Sequence, residues 1–124
     1  MSRVSQQQKA KFHLRQCVKV KPGVKDPDFN VEIGGWQGRI ADFDRSVAPP
    51  IYQIVWDSVT LREMNLELIV ASEEAGLAWD GIFLYEDELE AVPPRDEEAD
   101  VEEMLIEIED DLTLKFSRLA TTPV

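Results

Sequence analysis

The sequence predicts a mainly β chain of the α+β class: a small five-stranded β-barrel with one short inserted helix, followed by an acidic C-terminal amphipathic helix. Three observations carry this prediction. Short runs rich in β-branched and aromatic residues lie between Val18 and Tyr85, separated by Gly- and Pro-containing turns. Asn65 and Gly76 bracket a stretch with helical rather than alternating spacing. Beyond Pro93-Pro94, apolar residues recur at helical spacing among carboxylates.

The first eleven residues lack hydrophobic periodicity and read as a flexible basic tail, so order is expected from Phe12. Residues 17–21 alternate, with Val18 and Val20 on one face, and Pro22-Gly23 supplies turn chemistry after this first strand. Residues 24–32 form a loop by composition. Gly34-Gly35-Trp36-Gln37-Gly38 then gives permissive backbone before a second strand at 39–44. Pro49-Pro50 cannot continue a ladder, and the β-branched and aromatic run 51–57 follows as strand three, with 58–64 as its hairpin partner. A helix is expected at 66–75, N-capped by Asn65 and ended by Gly76, with Leu66, Ile69, Val70 and Leu77 as its apolar stripe. Residues 82–85 make a further strand and 86–92 a closing turn. The barrel thus covers 12–92, a Pro-rich linker 93–96, the acidic helix 97–118 and a frayed tail 119–124. The helix stripe is Val101, Met104, Leu105, Ile108, Leu112 and Phe116, and it must pack on the barrel, a partner or a second copy.

A length of 124 residues suits one folded unit with appendages, and an apolar content of 44% argues against disorder throughout. The net charge of −12 conceals an asymmetry: basic residues dominate up to Ile40, whereas Arg95 is the only basic residue from Glu73 to Asp111. No run approaches the ~20 apolar residues of a membrane span, and the polar N-terminus is unlike a signal peptide, so a cytoplasmic chain with no membrane contact is expected. With Cys17 and His13 as single representatives of their types, a disulfide framework and a four-ligand Cys/His zinc site are excluded. Nothing in the sequence orients them for nucleophilic catalysis, and no phosphate-binding loop is present, so no enzyme is predicted.

Two constellations invite ligands. Asp26, Asp28, Asn30 and Glu32 stand at alternate positions like the first ligands of an EF-hand loop, but Val31 replaces the required Gly and Gln37 the required Glu; they are weak calcium ligands at best, and calcium is the only cofactor considered. Trp36, Phe43, Tyr52, Trp56 and Trp79 are aromatic residues that a small barrel draws together beside Asp42, Asp57 and Asp80, as a cage for a cationic side chain would require.

The run Val18-Lys-Val-Lys-Pro-Gly23, then Gly35-Trp36-Gln37-Gly38-Arg39-Ile40, then Ile54-Val55-Trp56-Asp57, with a further strand ending at Leu89-Glu90, resembles the Src-homology-3-like small barrels of the Tudor and KOW kind. The resemblance covers residues 12–92 and implies a binding module: Tudor-like members recognise methylated side chains, and KOW-type members contact RNA or RNA polymerase. The inserted helix departs from that pattern, and a charge of −12 disfavours a nucleic-acid ligand, whose binding requires neutralised phosphates. The expectation is a non-enzymatic protein-interaction module with a protein partner. It would use Trp36, Phe43, Tyr52, Trp56 and Trp79 on the barrel and Met104, Leu105 and Ile108 on the helix. The alternatives are a calcium-binding acidic protein and a nucleic-acid-associated or nucleic-acid-mimicking regulator.

Overall fold

The computed structural model describes residues 10–121; residues 1–9 of the predicted tail, residues 122–124 and the Phe116 side chain lie outside that description. Five strands, β1 (Cys17–Val20), β2 (Gln37–Asp44), β3 (Ile51–Trp56), β4 (Gly81–Tyr85) and β5 (Leu89–Ala91), pair antiparallel in the order β4-β3-β2-β1-β5. Three helices accompany them: α1 (Ser58–Glu63), α2 (Leu66–Ala75) and α3 (Glu98–Thr121).

Alternation along the strands sends Val18, Val20, Ile40, Tyr52, Ile54, Trp56, Leu84 and Leu89 into one buried cluster, joined by Phe12 from the N-terminal side. The predicted closed barrel is corrected to an open sheet, because β4 and β5 form its two edges and do not pair. The sheet is nevertheless strongly coiled. Flat, its outer strands would stand about 19 Å apart, yet only the 3₁₀ turn Glu86–Glu88 joins them, and the steps from Tyr85 to Leu89 reach at most about 14 Å. Leu89–Ala91, expected as turn, is instead a strand on the far side of β1, with Val18 opposite Ala91 and Val20 opposite Leu89.

Of residues 58–64, expected as a strand, Ser58–Glu63 form α1 and Met64 is its extended C-cap. The Asp57 side chain accepts the Thr60 backbone N–H at 2.8 Å and caps the helix, which outweighs the β-branched pattern of Val59 and Thr60. α2 begins and ends as predicted, with the Asn65 side chain accepting from Glu67 N–H and Gly76 in the left-handed region. Its stripe is narrower than expected: Ile69 is buried and Val70 half-buried, while Leu66 and Leu77 are exposed.

α3 packs against α1. Ile108 and Leu112 enter the same buried cluster as the sheet, and Val101, Met104 and Leu105 flank it; each of the two buried side chains contributes about 2 kcal/mol by leaving water. The segment leading into α3 is fastened by charge. Asp96 lies beside Arg39 of β2, with Nη1 2.8 Å from Oδ1 and both side chains at least nine-tenths buried. These two atoms are not aligned for a hydrogen bond, so the contact is ionic. Arg39 Nη2 donates instead to the Asp96 carbonyl at 2.6 Å, and Ser58 N–H donates to Asp96 Oδ2 at 2.7 Å. Beside it, Arg95 donates to both oxygens of Asp57 and to Thr60 Oγ1. One end of the sheet, the cap of α1 and the approach to α3 are thereby held in one polar network. Burial alone would raise the Asp96 carboxyl, but the Ser58 and Arg39 contacts outweigh it and hold the group below the usual Asp range.

Candidate interaction surface

The sheet has two faces, and only one is the core. Opposite it, the register aligns Cys17, Arg39, Val55 and Gly81 across four strands. On the β1–β2 side this outer face is closed over Arg39 by Asp96. On the β3–β4 side it is open: Phe83, paired with Gln53, is 66% exposed, and Tyr85, paired with Ile51, is 47% exposed. Beside them Asp26, Asp28, Asp80, Leu77, Val55 and Phe83 line part of a cleft of about 350 Å³. Among the described residues none of these three aspartates is in an ion pair.

Ladder parity fixes which backbone groups remain free. Asp57 N–H donates to the Gln37 carbonyl, so the odd positions Asp57 and Val55 turn toward β2. Trp56 N–H donates to the Asp80 carbonyl and Glu86 N–H to the Pro50 carbonyl, so even positions bind β3 to β4. Gly81, Phe83 and Tyr85 therefore direct their N–H and C=O groups away from β3. Tyr85 N–H is taken by Glu88 Oε1 at 2.9 Å, which closes that end of the edge.

The structure separates the predicted aromatic set. Tyr52 and Trp56, at 0% and 2% exposure, belong to the core and present no surface to a partner, which corrects their assignment to the binding surface. Tyr52 does internal work: its hydroxyl donates to Glu86 Oε2 at 2.6 Å and accepts the N–H groups of Lys11 and Phe12. Burial, with that donation to a carboxylate, pushes its pKa up. Trp36 is half-buried edge-on against Trp56, centroids 5.2 Å apart, and Phe43 tilts against Tyr52 at 5.8 Å. Trp79 donates its indole N–H to Glu73 at 2.7 Å. No cage forms from these rings, because they serve different parts of the fold. On α3, Ile108 is buried and likewise unavailable to a partner, while Met104 and Leu105 are half-buried against the core.

Two of the four candidate calcium ligands, Asp26 and Glu32, are turned onto backbone. Asp26 Oδ1 accepts the N–H groups of Asp28 and Phe29, Glu32 Oε2 accepts those of Gly23 and Gly34, and Asn30 occupies the left-handed region. Among the described residues no three His, Cys, Asp or Glu side chains gather as a metal site. Cys17 is half-buried, and that burial pushes its thiol up against the opposing influence of Arg39. His13 Nδ1 lies 3.0 Å from the Leu14 carbonyl.

The open β4 edge escaped sequence reasoning. The residues 82–85 read as a strand, but which strands flank β4 depends on pairing that no local pattern encodes. No described helix is long and apolar enough to cross a membrane. Comparison with protein-family models, with curated proteins and with solved structures found no match.

Proposed function

We propose that this chain is a non-enzymatic protein-interaction module of the cytoplasm, which docks its partner on the outer β3–β4 face. The observation that carries this reading is the exposure of Phe83 and Tyr85, 66% and 47%, side by side on one strand beside a cleft. Two exposed aromatic rings on a rigid strand offer a large contact area at little conformational cost. The meander of β1 to β4 and the return of β5 onto β1 support the resemblance to Tudor- and KOW-type small barrels, and with it binding rather than catalysis. The raised thiol of Cys17, a poor nucleophile, is in keeping with that role.

Affinity capture from native lysate, comparing the full chain with Phe83→Ser, tests the reading. A protein retained by the wild type and lost by a variant with the same melting temperature is the expected result; identical retention by both ends it.

A second reading, an acidic regulator that mimics nucleic acid, is favoured by one observation. With the apolar stripe of α3 spent on the core, Glu102, Glu103, Glu107, Glu109, Asp110 and Asp111 all face solvent. Binding through that ridge would weaken steeply between low and physiological salt and would survive Phe83→Ser.

A further inference from the structure

We propose that β4 is a docking edge for an extended strand of another protein that carries lysine or arginine, which adds to the sheet as a sixth strand. This inference rests on the reading of the chain as an interaction module and specifies how and what it binds.

The backbone supplies the first argument. Every even position of β4 is engaged by β3, and the odd positions Gly81 and Phe83 direct donors and acceptors outward. β4 spans about 17 Å, enough for an antiparallel or parallel neighbour to form a short ladder. An incoming strand would set alternate side chains beside Phe83 and Tyr85 on the outer face.

Charge selects the occupant. The edge is bounded by Asp80 on one side and by Glu86, Asp87 and Glu88 on the other, and Asp26 and Asp28 look onto the adjoining cleft. A second copy of the chain is a poor fit. Self-pairing centred on Phe83 sets Asp80 opposite Glu86 of the copy, and each chain carries a net −12; like charges directly opposite destabilise a strand pair. Acidic flanks of this kind protect an edge from its own kind while leaving it attractive to a basic strand.

The test uses the full chain with a nine-residue synthetic peptide of alternating valine and threonine, with lysine at its centre and both ends, and a control in which glutamate replaces lysine. Amide exchange is followed by NMR. The lysine peptide should slow exchange at Phe83 roughly tenfold or more, as a newly formed ladder bond does, and the glutamate peptide should leave it unchanged. Phe83→Pro removes the outward N–H without touching the β3 ladder and should abolish binding; Asp80→Lys, which keeps that N–H, should weaken it. Equal binding of both peptides, undiminished binding to Phe83→Pro, or Phe83 already protected in a dimer without peptide would each overturn the proposal. If lysate capture depends on Phe83 while the lysine peptide fails to protect its amide, the interaction module stands and the edge mode falls.

Discussion

Arg39 on β2 and Asp96 before α3 are 57 positions apart in sequence, and their charged atoms meet at 2.8 Å almost wholly out of water. A buried pair of this kind is costly to desolvate and still more costly to break. Asp96→Ala leaves Arg39 buried and unpaired, and should lower stability by about 3–5 kcal/mol in urea denaturation. Replacing both partners by apolar residues, Arg39→Met with Asp96→Leu, should recover most of that loss. If the double variant is as unstable as the single one, the Ser58 contact rather than the ion pair dominates.

The same carboxylate gives an acid limb. Its pKa in the folded chain lies below the ordinary Asp value, so its contribution is fully present above about pH 4. It is lost as the pH falls further, through the folded value. The melting-temperature gap between wild type and Asp96→Asn should be constant from neutral pH to about pH 5 and narrow below about pH 4. A gap that widens on acidification would reverse the sign argued here.

Trp36 is half-buried and meets Trp56 edge-on. Trp36→Ala should cost about 2 kcal/mol, less than the 3–5 of a fully buried aromatic, and should alter the near-ultraviolet circular dichroism of Trp56. Unchanged stability with lost partner binding would instead make Trp36 a contact residue.

At Gly38 the backbone of β3 leaves no room for a side chain on β2. A Cβ there would run into the Val55 carbonyl oxygen and the Ile54 side chain. Gly38→Ala should destabilise the fold by at least about 1–3 kcal/mol, measured by thermal unfolding. Ala at the exposed position 41 marks the contrast, since Ala41→Ser should be silent within about 0.5 kcal/mol.

Much of the fold is local chemistry and was readable as such. The Asn65 cap, the Gly76 stop, the turn at Pro22-Gly23 and the α3 stripe all act within a few residues, and each holds. Asp57 is the instructive failure. It reads as the end of a β-branched and aromatic run with a hairpin partner after it, whereas its side chain caps α1 and is itself held by Arg95 from 38 positions away. The site was less legible for the same reason. Tyr52 and Trp56 share the chemistry of binding aromatics, and only the pairing of β3 with both neighbours shows that they point inward. Phe83 differs by parity alone.

The pairing of β5 with β1 has a consequence for how the chain comes into being. The β2 neighbour of Val18, Gly38, follows it by only 20 positions, but its other neighbour, Ala91, emerges only after every other strand and two helices. Until then the nascent sheet exposes a second acceptor edge at β1, flanked by Lys19 and Lys21 rather than by carboxylates. The carboxylates of Glu86, Asp87, Glu88 and Glu90 arrive only with β5, whose pairing closes that edge. Folding must therefore wait for a long-range closure, and until β5 docks, β1 is an open edge of the sheet.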